Sequence, residues 1–129
     1  MVDWRVVAGV AGSLLAACAV ATGAFAAHAL RGQLDAAAME LWRTAVNYLF
    51  WHALALMLLA LVPGPESHWR KAAGLAFLSG IGLFCGSLFA LSLGAPRQTG
   101  MLTPLGGSAF LFGWICLAVL FARSRGDAR

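Results

Sequence analysis

The sequence has little charge and an excess of apolar residues. Of its 129 residues, 61% are hydrophobic and 11% are charged, whereas a soluble domain carries about 25% charged residues. The mean hydropathy is +0.82. So few charges cannot cover a water-exposed surface, and a chain of this length cannot hide all its apolar residues in one interior. The sequence therefore predicts a membrane protein whose main partner is the lipid bilayer.

Paired thiols are also absent. Cys18, Cys85 and Cys116 each lie alone in an apolar run, without a CxxC pair or a histidine at metal-ligand spacing. We expect three buried, reduced thiols. A disulfide-exchange enzyme, which needs paired cysteines, is excluded.

The apolar runs contain no carboxylate, and the sequence has no dense cluster of basic residues. Proton-coupled exporters of this size need an acidic side chain inside the membrane. All five acidic residues here lie in termini, loops or helix starts: Asp3, Asp35, Glu40, Glu66 and Asp127. The nine Lys and Arg are scattered between the apolar runs, which argues against a nucleic-acid partner.

Long apolar runs are what the sequence does contain. They cover about residues 6–27, 45–62, 72–93 and 104–121, and a spanning helix needs about 20 residues. A membrane-spanning strand would alternate polar and apolar residues, which these runs do not do. We therefore predict an all-α fold, a four-helix transmembrane bundle forming a single domain over residues 1–129.

The ends of two helices carry capping signals. Asp35 is a good N-cap for the helix that contains the second run, so that helix is expected to start outside the hydrocarbon. Thr103 and Pro104 are predicted to open the fourth helix, as a hydroxyl N-cap and a proline at the first helical position. Trp42 is expected at a membrane interface with its N–H in water.

Orientation follows from the Lys and Arg on each side of the membrane. One side would carry Arg5, Arg70, Lys71, Arg123, Arg125 and Arg129, and the other Arg31, Arg43 and Arg97. The more positive side is normally cytoplasmic. We therefore predict that both termini are cytoplasmic, in a multi-pass protein of a bacterial inner membrane.

Small residues indicate where helices could meet, because close backbone approach drives helix association in lipid. Those assigned to packing are Gly23, Gly82, Gly86, Ala90, Gly106, Gly107 and Gly113. Gly82, Gly86 and Ala90 follow one another at intervals of four, as a smooth stripe. Such a stripe fits a contact within the chain or a dimer interface, and we favour the contact within the chain.

His52 is the one ionisable residue placed clearly inside an apolar run. Thr44 and Tyr48 precede it by eight and four residues and share its helix face. His28 closes the first helix on the same side of the membrane. The pair could bind haem, copper or a quinone headgroup. Alternatively, each is a neutral imidazole that fixes helix packing, and we expect this second arrangement, with no metal or cofactor.

Four blocks of the sequence resemble a known family. They are residues 23–28 (GAFAAH), 42–56 (WRTAVNYLFWHALAL), 83–88 (LFCGSL) and 103–114 (TPLGGSAFLFGW). In the same order, these blocks resemble the small membrane family called domain of unknown function 423, which includes bacterial inner-membrane proteins and the eukaryotic transmembrane protein 256. The resemblance spans roughly residues 6–121. It implies a four-helix membrane protein and no known activity.

Two positions depart from the family's pattern. Ala26 stands where the family usually has glycine, and Leu49 stands where a polar residue often follows the tyrosine. The first departure weakens the expectation of a very close helix contact at Ala26. The second predicts a drier surrounding for His52.

These observations favour a non-catalytic membrane protein whose small and aromatic residues serve packing, as an accessory subunit of a larger membrane assembly or a homo-oligomer. The alternative is haem, metal or quinone binding through His28 and His52. A small transporter or channel is a weaker alternative.

Overall fold

The computed structural model describes residues 1–124, so Arg125, Asp127 and Arg129 lie outside the described residues. Within that range all regular secondary structure is helical. The elements are α1 (Trp4–His28), α2 (Ala36–Leu61), α3 (His68–Gly80), a π turn (Ile81–Cys85), α4 (Gly86–Ser92), a 3-10 turn (Arg97–Met101) and α5 (Leu102–Ser124).

Four helical segments are long and apolar enough to cross a membrane. They are α1, α2, the continuous segment His68–Ser92 and the segment Arg97–Ser124. The predicted fold class is thereby confirmed. Each segment extends beyond its apolar run, because capped helix ends continue past the residues that must avoid water.

Small residues bring α1 against α2, its main neighbour. A Cβ added at Gly12 would lie 2.7 Å from the carbonyl oxygen of Ala53. Further along, a Cβ at Gly23 would lie 3.5 Å from Cγ1 of Val46, an ordinary contact. The two helices therefore run antiparallel at close range near Gly12 and less closely near Gly23.

Glycines and phenylalanines interlock where the third span meets α5. A Cβ at Gly113 would lie 2.8 Å from the Phe77 ring, and one at Gly106 would lie 2.7 Å from Cβ of Phe84. Both glycines therefore lie at close contacts between the third span and α5. Gly107 makes only a distant contact, 3.8 Å from the same phenylalanine ring.

The stripe predicted on the third span does not pack within the chain. Gly82 and Gly86 lie on the outer surface, and a Cβ at either would meet no atom of residues 1–124 within 4 Å. Ala90 is half-buried. The close contact is made instead by Gly80, where a Cβ would lie 2.6 Å from the Phe110 ring. The predicted intrachain contact at Gly82 and Gly86 is therefore corrected.

The cap predicted for the fourth helix is also corrected. The chain turns helical at Arg97, so Thr103 is the second residue of α5 rather than its N-cap. Its hydroxyl instead lies 2.6 Å from that of Ser87. Pro104 remains in the first turn of α5, where its missing N–H leaves no bond unmade.

Three smaller predictions have clear outcomes. Asp35 caps α2, since its carboxylate accepts from the backbone N–H of Ala38 at 2.7 Å. Trp42 is buried rather than wet, and its indole donates to the carbonyl oxygen of Thr22 at 3.0 Å. All three cysteines are free, but Cys18 is exposed on the outer surface.

Candidate functional site

His52 lies inside the bundle and both of its ring nitrogens are engaged. The side chain is buried, and its Nε2 lies 3.2 Å from the indole nitrogen of Trp114. Because an indole N–H can only donate, Nε2 must accept. The proton of the neutral imidazole then sits on Nδ1, which donates to the carbonyl oxygen of Tyr48 at 2.7 Å. One tautomer satisfies both bonds.

Aromatic rings enclose this imidazole. The Phe110 ring stacks on it at 3.5 Å between centroids and 9° between planes. Tyr48 and Phe77 lie at 5.9 Å on other sides. The residues come from three spans, so the cluster ties α2 to α3 and α5.

The structure separates the two predicted histidines. Gly12 of α1 faces Ala53 of α2, so His52 is level with the middle of α1. His28 ends α1 and is exposed, roughly 24 Å further along the helix axis than Gly12 at 1.5 Å per residue. A ligand held by both side chains is not what this geometry supports.

Thr44 and Tyr48 take different places relative to His52. The Tyr48 ring belongs to the cluster and also packs on Phe84 at 4.4 Å. Thr44 is half-buried, and within residues 1–124 its hydroxyl makes no hydrogen bond to this group. The cluster is therefore a group of packed aromatic side chains around one hydrogen-bonded histidine.

Metal chemistry would need several ligating side chains together. Among residues 1–124, no group of three or more His, Cys, Asp or Glu could hold an ion. Through stacking and two directed hydrogen bonds, the cluster around His52 can hold the helices at a fixed distance and rotation.

Arg70 forms a second polar site that the sequence did not reveal. It is fully buried, and its guanidinium donates to the carbonyl oxygens of Leu59 at 2.7 Å and Val62 at 3.0 Å. These groups belong to the end of α2, where the last carbonyls have no partner within the helix. Glu66 supports the guanidinium from 3.7 Å.

Arg5 reaches the same helix end from α1. Its guanidinium donates to the carbonyl oxygen of Val62 at 2.9 Å and also contacts that of Gly64. A weak signal for this site exists in the sequence. Pro63 and Pro65 cannot donate a backbone N–H, so the end of α2 requires donors from elsewhere.

Comparison with known proteins agrees with this architecture. A family model described as "Protein of unknown function (DUF423)" matches residues 22–107. The chain belongs to this family. A UPF0382 membrane protein of Staphylococcus epidermidis is 41% identical over 108 residues, covering 84% of this chain and 88% of the relative.

Relatives of the DUF423 protein occur in other bacteria. The UPF0382 membrane protein YwdK of Bacillus subtilis is 39% identical over 110 residues, covering 84% of this chain and 89% of the relative. One from Haemophilus influenzae is 40% identical over 99 residues, with 77% and 80% covered. No solved structure matches the chain. The protein is thus a multi-pass helical membrane protein of a family without an assigned activity.

Proposed function

We propose that the protein is non-catalytic and lies in a bacterial inner membrane. It is either an accessory subunit of a larger membrane assembly or one of the identical subunits of a homo-oligomer. The observation that carries the proposal is that both ring nitrogens of His52 are hydrogen-bonded inside the bundle. Its two nitrogens bond to Tyr48 and Trp114, and Phe110 stacks on its face. A histidine bound in this way contributes to packing and offers no free lone pair to a ligand.

The outer face of the third span supports a partner helix. Gly82 and Gly86 lie there one helical turn apart, and no residue of the described range 1–124 comes within 4 Å of an added Cβ. Small residues let helix backbones approach closely in lipid. A helix of another subunit, or of a second copy, could therefore pack on this face.

Bulky residues at these two positions test the proposal. We expect Gly82→Leu/Gly86→Leu to shift the protein to a smaller complex in native electrophoresis of mild-detergent extracts, because the leucines would hold a partner helix away. The fold should persist, since both side chains would point outward.

The matched control is Ala21→Leu/Ala24→Leu, at two exposed positions of α1. It should leave the size of the complex unchanged. A wild-type protein that migrates as a monomer, or a complex unaffected by the leucines at 82 and 86, would contradict the proposal.

Cytoplasmic termini are part of the same proposal. They are supported by the larger number of Lys and Arg on that side. The distance between His28 and His52 gives no support to a shared haem, metal or quinone, and the described residues 1–124 give none to a transporter or channel.

A further inference from the structure

A cleft opens between the end of α1 and the first half of α2. Its volume is about 380 Å³, within the roughly 300–1,000 Å³ of typical small-molecule sites. Arg31 and Arg43 line it with Asn47, which lies one turn beyond Arg43. Trp42 and Met39 supply part of its apolar wall. The cleft thus presents two guanidinium groups and an amide over an apolar floor.

The two arginines of the cleft are available to an anion. Both are exposed. Within residues 1–124 the one ion pair joins Arg70 to Glu66, so no described carboxylate lies within 4.0 Å of the Arg31 or Arg43 guanidinium, and none lines the cleft. Guanidinium groups bind phosphate oxygens through paired N–H donors, and two of them at one opening attract a negative charge.

The depth of Arg43 matches the headgroup region. Helix α2 has 26 residues, roughly 39 Å at 1.5 Å per residue, whereas the hydrocarbon core is about 30 Å thick. If α2 leaves the hydrocarbon at Leu61, where prolines follow, the opposite boundary falls near Trp42. The Cα atom of Arg43 then lies at the edge of the hydrocarbon, and its side chain, which a helix tilts toward the N-terminus, can extend to the level of lipid phosphates.

An apolar groove continues from the cleft toward the middle of the membrane. It has a volume of about 220 Å³ and shares Val46 and Asn47 with the cleft. Its other lining residues are Ala19, Val20, Phe50 and Trp51. Along α2 the charged Arg43 is therefore followed by Val46 and Asn47 and then by Phe50 and Trp51. The lining becomes less polar away from Arg43, as a phospholipid does from its phosphate to its acyl chains.

We propose that the cleft and the groove together bind one anionic phospholipid. Its phosphate lies between Arg31 and Arg43, and an acyl chain lies along Val46 and Phe50. The net negative charge of the lipid is required because the cleft holds two cations and no carboxylate. The acyl chain is required because the groove opens directly from the phosphate end.

Native mass spectrometry of the intact protein in detergent tests this site. The probes are phosphatidylglycerol and phosphatidylcholine with identical acyl chains. We expect the wild type to retain phosphatidylglycerol preferentially. We expect Arg31→Gln/Arg43→Gln to weaken that binding about tenfold or more, because each arginine near the surface contributes to the attraction of an anionic lipid.

Arg97→Gln is the matched control, since Arg97 is exposed in the connection at the same end of the bundle but does not line the cleft. It should retain phosphatidylglycerol like the wild type. Equal retention of the two lipids by the wild type would overturn the proposal. So would an equal loss in the control, or full retention by the double variant.

Inorganic phosphate separates a lipid site from a simple anion site. We expect excess phosphate to leave bound phosphatidylglycerol in place, because phosphate cannot use the groove. Val20→Trp, which fills the groove, should weaken lipid retention. Displacement of the lipid by phosphate, with no effect of the tryptophan, would overturn the assignment to a phospholipid.

Discussion

Two pairs of arginines lie at opposite ends of the bundle and make opposite kinds of contact. Arg5 and Arg70 donate to carbonyl oxygens at the end of α2, and Arg70 is fully buried. Arg31 and Arg43 are exposed and line an open cleft near the start of α2. One pair completes the fold, whereas the other leaves its charges to the surroundings.

The difference between the pairs follows from the two ends of α2. At its start, the groups without a helical partner are N–H donors, so the Asp35 carboxylate can accept from one of them whereas an arginine, which only donates, could not. At its end, the carbonyls without a helical partner meet a loop with two prolines, and cations are favoured there by the helix dipole. A charge count treats the four arginines alike, although their contacts differ.

Removing Arg70 should have the largest effect on stability. Arg70→Met leaves the carbonyls of Leu59 and Val62 without that donor in a water-poor environment. We expect the free energy of unfolding to fall by about 3 kcal/mol, by analogy with broken buried charge pairs. Unfolding in mixed micelles with increasing SDS would measure it.

Two variants sharpen this result. Arg70→Lys should recover only part of the loss, because an ammonium group cannot reproduce the planar fork that spans two carbonyls. Lys71→Met, at an exposed neighbouring position, should be close to the wild type. If Arg70→Met were as stable as Lys71→Met, the capping role of Arg70 would be wrong.

Arg5 should matter less, because it is only half-buried and shares the carbonyl of Val62 with Arg70. We expect Arg5→Gln to reduce the free energy of unfolding by about 1 kcal/mol, the usual net value of a hydrogen bond. The same SDS titration applies.

Arg31→Gln/Arg43→Gln serves as the reference for that titration. Substitutions at exposed positions that make no capping or buried contact usually change the free energy of unfolding by no more than about 0.5 kcal/mol. A loss as large as that of Arg5→Gln would break the distinction between the two arginine pairs.

The apolar runs were enough to predict the four spans, and Asp35 was enough to place the start of α2. Ala26 and Leu49, the departures from the family pattern, are both buried. The four spans and the start of α2 could be predicted because each depends on the composition of a short stretch of sequence. Gly106 and Gly113 could be proposed as packing residues because they are small residues in a regular helix, whereas their contacts with Phe84 and Phe77 come only from the fold.

The stripe at Gly82 and Gly86 was assigned to the inside of the bundle because a spacing of four shows which residues share a face, but not whether that face points inward. The two glycines do share one face, and it is the outer one. Successive residues of a helix are about 100° apart, so Gly80 and Gly82 face nearly opposite sides. Gly80 therefore reaches Phe110 while Gly82 and Gly86 face outward.

The contacts of His52 and Arg70 were beyond sequence reasoning for a different reason. Trp114 is 62 positions away from His52 along the chain, and no local pattern pairs them. Arg70 lies beside other polar residues and resembles a loop charge until the fold brings the end of α2 against it.

The account depends most on His52 being a packing residue, and ¹⁵N NMR of its imidazole tests this directly. The protein is purified in mild detergent, and His28→Gln/His68→Gln, at two exposed positions, leaves one histidine signal. We expect a neutral ring protonated at Nδ1, as the bonds to Tyr48 and Trp114 require. Removal of the indole donor in Trp114→Phe should shift the Nε2 resonance. A ring protonated at Nε2, or an Nε2 shift typical of metal coordination, would contradict the account.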